Sequence, residues 1–292
     1  MKLWNNISFR EQKFKNMSTY NTEEIELRET RSVPPIPDDK SFNEIFMKEK
    51  KLVLFLDFDG TLSPIVNNPE DASISDDMKK ALKQCSNKFT VSIISGRDMD
   101  DVKSRVGIDE LIYAGSHGFR ITGPDGLSME HKKSEEILPV LDTVGKKLQD
   151  QFSDGPEGVM VERKKYAIAV HYRNADEGKL DEINDKIKEV LKQHPEMKTG
   201  KGKKIVEIKP SHDWHKGKAV KWILAKFNLW DNPEVLPVYI GDDVTDEDAF
   251  KTLHNKGLSI LVGSHDQLTA ASYKLSDVDE VSALLNKLYE TR

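Results

Sequence analysis

Cysteine is nearly missing from this chain: there is one, Cys85, in 292 residues. A single thiol cannot close an internal disulfide, and it excludes a cysteine-built zinc site. Its position within a helical pattern assigns it to packing. Long apolar runs are absent as well. None approaches the ~20 residues of a membrane span, so no membrane attachment is expected. The opening "MKLWNNISFREQKFKNM" lacks the apolar core of ~7–15 residues that a secretory signal requires. It is slightly basic, which leaves an organelle transit peptide open. Glu11 and the few serines weigh against that, and a cytoplasmic location is the expectation. Positive charge is not in excess either. The net charge of −6 argues against nucleic-acid partners, which need a basic face, while leaving room for a local basic pocket. No internal repeat is found. What is present, 37% hydrophobic and 32% charged residues, suits a folded polar chain. Its length allows one large domain or two moderate ones.

Residues 1–40 read as a polar, flexible N-terminal extension ending in the Pro-rich "SVPPIPDD". A short helix, "SFNEIFMKEK", follows. "KLVLFL" (51–56) is a continuous apolar run suited to a strand buried on both faces. Helical spacing over 75–87, with Ser75 or Asp76 as N-cap, leads to a second strand, "FTVSIIS". Next come a helix closed by Gly107 and a third strand, "LIYAGS". This alternation predicts an α/β fold with a doubly wound parallel sheet, whose functional residues lie at the strands' carboxyl ends. The texture changes near Thr122. Helix, hairpin (158–173), amphipathic helix (176–195) and strand (203–210) form an inserted α+β unit over 131–210. The lysine-rich stretch 198–209 reads as its flexible edge, attracting an anionic substrate. The core therefore spans 41–130 and 211–292. Its second part holds a helix over 214–228 and a strand over 234–240. A helix over 245–257 follows, with Thr245 and Asp248 spaced as a capping box. A fifth strand and a closing helix end the chain.

"LVLFLDFDGT" (52–61) drives its apolar run straight into two carboxylates, Asp57 and Asp59. In an extended segment both point the same way, and they repel unless a cation lies between them or one is protonated. A second acidic cluster, "GDDVTDED" (241–248), ends a later strand. Strands ending at one edge would bring Asp57, Asp59, Asp242 and Asp246 together, an all-oxygen set that suits Mg²⁺. The alternative is that these are acidic turn residues and helix caps. Ser95 in "ISGR" can hold an anion with the helix-start N–H groups, or simply cap the helix. Lys216 in "WHKGKA" offers a point charge to a phosphate, or is a solvated surface lysine. "GKGKK" is no P-loop, and His131, His171 and His254 lack metal-ligand spacing.

"DFDGT", "SGR", Lys216 and "GDDVTDED" together resemble the four motifs of the haloacid-dehalogenase-like (HAD) phosphotransferases. "DFDGTLSPI", "YAGSHG", "VERKKYAIAVHYRN", "KKIVEIKP" and "GDDVTDEDAF" look closer still to the trehalose-6-phosphate phosphatase family, from about residue 51 to 288. The resemblance implies a HAD/Rossmann-like core with an inserted cap. It implies a Mg²⁺-dependent phosphatase that converts trehalose 6-phosphate to trehalose and phosphate. Asp57 would be the nucleophile and Asp59 the acid and base. Ser95 and Lys216 would hold the transferring oxygens. The metal would be bound by Asp57, the Asp59 carbonyl and Asp242, with Asp246 supporting it through water. Around the glucose ring remote from the phosphate it places the cap residues Glu162, Lys164, Arg173, Lys203 and Glu207. Each of these also fits the charged outer face of a small sheet. Arg97 and His117, on core loops facing the cap, join the substrate-binding set. Trehalose-6-phosphate synthase is implied as a pathway partner, and a monomer is expected. The rivals are another capped phosphatase, such as a sucrose-phosphate phosphatase, and a catalytically idle protein on the same scaffold.

Overall fold

The computed structural model describes residues 25–46, 50–132, 134–202 and 204–291. In chain order the first strands are β1 (Arg28–Glu29), β2 (Lys51–Leu56), β3 (Thr90–Ile94), β4 (Ile112–Gly115), β5 (Arg120–Thr122) and β6 (Ser128–Glu130). Then come β7 (Met160–Lys164), β8 (Ala167–His171), β9 (Met197–Gly202) and β10 (Ile205–Pro210), followed by β11 (Val235–Gly241), β12 (Leu258–Val262), β13 (Leu268–Thr269) and β14 (Tyr273–Leu275). The helices are α1 (Asp39–Phe46), α2 (Asp76–Ser86), α3 (Met99–Val106), α4 (Ser134–Ser153), α5 (Leu180–Leu191), α6 (Lys216–Lys226), α7 (Glu247–Leu253) and α8 (Val278–Glu290).

The apolar run of β2 is explained by a core on each side of it. Leu52, Leu54 and Leu56 pack with α1, α2, α3 and α8, while Val53 and Phe55 pack with α6 and α7. A strand with period two that feeds two cores has no polar position. The sheet order is β14-β12-β11-β2-β3-β4-β5-β6. Pairing is parallel from β14 to β4 and antiparallel beyond it. The sheet is thus wider than the five parallel strands the sequence predicts. The added edge strands are three residues long, and β5 and β6 flank the "TGPDG" turn as a hairpin with Thr122 opposite Ser128, too short to carry a periodic signal. Ser75 caps α2, its Oγ accepting from Met78 N at 3.1 Å. Gly107 closes α3 in the left-handed region.

A separate antiparallel sheet, β7-β8-β10-β9, is backed by α4 and α5 through a third core that includes Leu141, Ile168, Ile183 and Ile208. The lysine-rich segment differs from the sequence expectation. Met197–Gly202 is a regular edge strand, with Lys198 opposite Lys209 and Gly200 opposite Glu207. Lysines blunt such an edge against further pairing. The described part of the N-terminal extension is anchored rather than loose. β1 pairs with β13, Lys274 N donates to Pro34 O at 2.9 Å, and Val33 is buried in the α6–α7 core. The apolar Val33 supplies the reason, since it plugs a core that its polar neighbours conceal. Residues 1–24 lie outside the described part. No described helix is long and apolar enough to cross a membrane.

Candidate active site

β2 lies between β3 and β11, and the helices that follow diverge to opposite faces there: α2, after β2, joins one core and α7, after β11, the other. The carboxyl end of β2 is therefore the crevice where ligands bind in open α/β sheets. Asp57 stands in it, its N–H donating to Ile240 O at 2.9 Å. One carboxylate oxygen each from Asp57, Asp242 and Asp246 lie within 4.8 Å of one another, and all three residues are buried. Two glycines make this crowding possible. Gly60 sits at φ +82°, and a Cβ on it would meet Asp242 Oδ2 at 2.1 Å. A Cβ on Gly241 would meet Asp246 Cγ at 2.3 Å.

Lys216, the first residue of α6, is buried among these carboxylates. Its Nζ lies 2.9 Å from Asp57 Oδ1 and 2.7 Å from Asp246 Oδ1. Burial opposes the ammonium, but Asp246 and Asp57 outweigh it and hold Lys216 protonated, above the usual lysine range. For Asp57, burial dominates and is joined by Asp246 and Asp242. Against the pull of Lys216 they push its carboxyl well above the usual range. One ammonium thus does not balance three buried carboxylates. A divalent cation would, and the all-oxygen donor set fits a hard metal ion.

Asp246 does more than the sequence suggests. Its Oδ1 also accepts from the phenol of Tyr239 at 2.7 Å, and its Oδ2 accepts from Asp243 N at 3.0 Å. That second bond moves the capping interaction two residues upstream of the predicted Thr245–Asp248 pair. Tyr239 was not legible as a site residue: a strand buried on both faces gives no sign of which side chain turns toward the catalytic edge. Burial and then Asp246 push its phenol well above the ordinary range.

Asp59 and Arg97 line the same cavity. Arg97 Nε lies 2.8 and 3.1 Å from the two Asp59 oxygens, and Nη2 lies 2.7 Å from Oδ1. Burial works against the guanidinium, but Asp59 and Asp101 overcome it and raise its pKa further. Arg97, expected to face substrate, is therefore occupied by Asp59. Ser95 is fully buried, its Oγ accepting from Arg97 N at 3.1 Å. The neighbouring Gly96 lines the cavity, whereas Ser95 does not.

The roof of the cavity is the exposed face of the inserted sheet. In β10 the buried positions Val206, Ile208 and Pro210 alternate with Glu207 and Lys209, which line the cavity with Glu162, Lys164 and Arg173. Ala169 lies opposite both Glu162 and Glu207 and is fully buried. The volume of the cavity is about 490 Å³, within the usual range for small-molecule sites. His171, set aside on spacing, lies 2.7 Å from Glu162, and this bond holds the Glu162 carboxyl below its usual range. His131 packs at a tilt against Trp214, with ring centroids 4.9 Å apart. Lys203 lies outside the described residues.

Several contacts among the described residues join roof to floor, three of them at the cavity. His117 Nε2 is 3.2 Å from Glu207 Oε2. Lys165 N donates to Asp98 Oδ2 at 2.9 Å, and Arg173 Nη1 approaches Asn67 Oδ1 at 3.5 Å. Burial lowers the His117 pKa, so at neutral pH a neutral ring donates to the carboxylate. Burial also works against the Glu207 charge, but His117, Lys209 and Lys164 outweigh it and keep the carboxyl well below its usual range.

Comparison with known proteins agrees with this geometry. A family model described as trehalose-phosphatase matches residues 55–282. A probable trehalose-phosphate phosphatase of Oryza sativa subsp. japonica is 43% identical over 255 residues, covering 85% of this chain and 69% of that protein. The structure of the C. albicans trehalose-6-phosphate phosphatase C-terminal domain aligns with TM-score 0.74 at 22% identity, over 88% of this chain and 98% of that one. A haloacid dehalogenase-like hydrolase from Bacteroides thetaiotaomicron shares the fold at TM-score 0.56 and 15% identity, over 82% and 99% of the two chains. The matched length and the identity to the rice protein place this chain in the trehalose-phosphatase family of phosphoric monoester hydrolases.

Proposed function

We propose that the protein hydrolyses trehalose 6-phosphate to trehalose and inorganic phosphate through an aspartyl-phosphate on Asp57. The observation that carries this reading is the buried Asp57 carboxylate, 2.9 Å from Lys216 Nζ and within 4.8 Å of Asp242 and Asp246 oxygens. It lies beneath a sheet that presents acidic and basic side chains to the same cavity. The relatives' names supply the substrate. Asp57, Asp242 and the Asp59 main-chain carbonyl would hold Mg²⁺, with Asp246, already saturated by Lys216, Tyr239 and Asp243, acting through water. When bound, the ion neutralises phosphoryl charge and keeps Asp57 ionised.

The residues divide the work. An Asp57 oxygen bonds to phosphorus as the bond from phosphorus to the sugar oxygen breaks, and Asp59 gives that oxygen a proton. Water then attacks phosphorus and Asp59 takes its proton. The bond from phosphorus to Asp57 breaks, and orthophosphate leaves. Lys216, with the backbone N–H groups beside Ser95, balances the charge on the equatorial oxygens. Glu162, Lys164, Glu207 and Arg173 recognise sugar hydroxyls, where polar pairing discriminates sharply. We take the enzyme to act as a cytoplasmic monomer.

The test is phosphate release from trehalose 6-phosphate, sucrose 6-phosphate and glucose 6-phosphate with Mg²⁺. Trehalose 6-phosphate should be preferred, and a clear preference for sucrose 6-phosphate would reject the assignment. Asp57→Asn should lower kcat by at least about 10³-fold with the fold intact. Residual turnover near wild type would exclude the covalent route.

A further inference from the structure

Four of the five guanidinium N–H donors of Arg97 are engaged within the protein. Nε and Nη2 serve Asp59, Nη2 also donates to Pro69 O at 2.8 Å, and Nη1 donates to Asp101 Oδ2 at 3.0 Å. The ring of Phe58 lies beneath it, 5.3 Å away. Only 10% of the side chain is exposed. Asp101 holds a second arginine one helical turn on, its Oδ1 accepting from Arg105 Nε at 2.7 Å. Arg105 in turn donates to Glu70 O at 2.9 Å and Ala72 O at 2.8 Å. Arg97, just before α3, and Arg105, in its last turn, therefore tie one carboxylate, one loop and Asp59 into a single unit.

The exposure pattern makes this a device rather than a surface accident. Asp59 and Asp101 are each a little over one-third exposed, while the arginine between them is not. Planar fork pairing fixes direction as well as distance. Asp59 precedes the tight turn at Gly60 and stands at a cavity mouth, where a carboxylate alone would sample several rotamers.

We propose that Arg97, braced by Asp101 and Arg105, is a positioning residue that aims the Asp59 carboxyl at the leaving oxygen. This rests on the reading of Asp59 as the proton donor. The role differs from direct substrate binding, and the two separate by experiment. The ratio kcat/KM covers steps only up to release of the alcohol. A misaimed acid then penalises poor leaving groups and spares good ones.

The experiment compares wild type with Asp101→Asn on trehalose 6-phosphate and on a series of substituted phenyl phosphates, none of which carries the sugar. In Asp101→Asn, kcat/KM for trehalose 6-phosphate should fall about tenfold, a fraction of the 10²–10⁴ available to general acid catalysis. For p-nitrophenyl phosphate it should change less than about twofold, so the plot against leaving-group pKa steepens. Asp101→Glu should restore the wild-type slope. If Asp101→Asn does not fold, Arg97→Lys, which keeps charge but loses the fork, should steepen the slope in the same way. An equal loss across the whole series, or no loss anywhere, overturns the proposal. A loss confined to trehalose 6-phosphate with the phenyl series unchanged overturns it in favour of sugar binding by Arg97. A wild-type protein inactive on every phosphate ester overturns the proposed function itself, an outcome distinct from these.

Discussion

At the scale of single residues, the site is an exercise in balancing buried charge. Three carboxylates and one ammonium share a dry strand end, an arrangement that survives only with every oxygen engaged. Tyr239 is the least conspicuous contributor, since it holds Asp246 by one hydrogen bond and touches nothing that reacts. Tyr239→Phe removes that bond while keeping the ring packed edge-on to Phe250. We expect a loss of about 1 kcal/mol, seen as a Tm lower by about 2–4 °C, and weaker Mg²⁺ binding by titration calorimetry. An unchanged Tm together with an unchanged Mg²⁺ affinity would show that Tyr239 only fills space.

At the scale of elements, strand periodicity sorts structure from function within one sheet. On β8, Ile168 and Val170 enter the core against α4 and α5. The opposite phase, Ala167, Ala169 and His171, faces the cavity side. Ala169 lies level with Glu162 and Glu207 and is fully buried. The added bulk of Ala169→Leu should displace these two side chains and raise KM for trehalose 6-phosphate roughly tenfold, equivalent to about 1.4 kcal/mol. The smaller p-nitrophenyl phosphate should keep its KM. Steady-state kinetics on the two substrates decides the point, and a parallel rise in both would mean that the substitution distorts the core site instead. The sequence shows the Ile168–Val170 alternation plainly. It does not show which residue of β7 or β10 stands beside Ala169, because register is a property of three strands together.

At the scale of the whole molecule, the inserted sheet closes on the core through His117–Glu207, Lys165–Asp98 and Arg173–Asn67. Three of the groups on that interface and its roof give stability a pH dependence whose sign follows from their shifts. His117 is held below the usual value of 6.5, so the unfolded chain takes up the proton first as pH falls. Its contribution is full above about pH 6.5 and declines below. Glu207 and Glu162 are held below the usual 4.5, so their contribution is full above that value and is lost on further acidification. Thermal unfolding should therefore show Tm falling from pH 7 to 5 and falling again below pH 4.5. His117→Gln should flatten the first fall and, because His117 helps to hold the Glu207 carboxyl low, lessen the second. Identical profiles for the two proteins would remove His117 from the account.

By itself the sequence determined the α/β alternation, the inserted α+β unit, and the two acidic clusters at strand ends. Apolar periodicity and turn residues are local, and a carboxylate at the end of a buried strand is costly enough to announce a purpose. The tertiary structure alone decided which charges meet. It gave Arg97 to Asp59 across 38 positions, placed Tyr239 and Lys216 on the same oxygen of Asp246, set Glu207 against His117 across 90 positions, and anchored Val33 in a core that its polar surroundings hid. Each of these contacts joins residues brought together by sheet order and strand register. Those quantities depend on how the whole chain packs, and no local pattern encodes them.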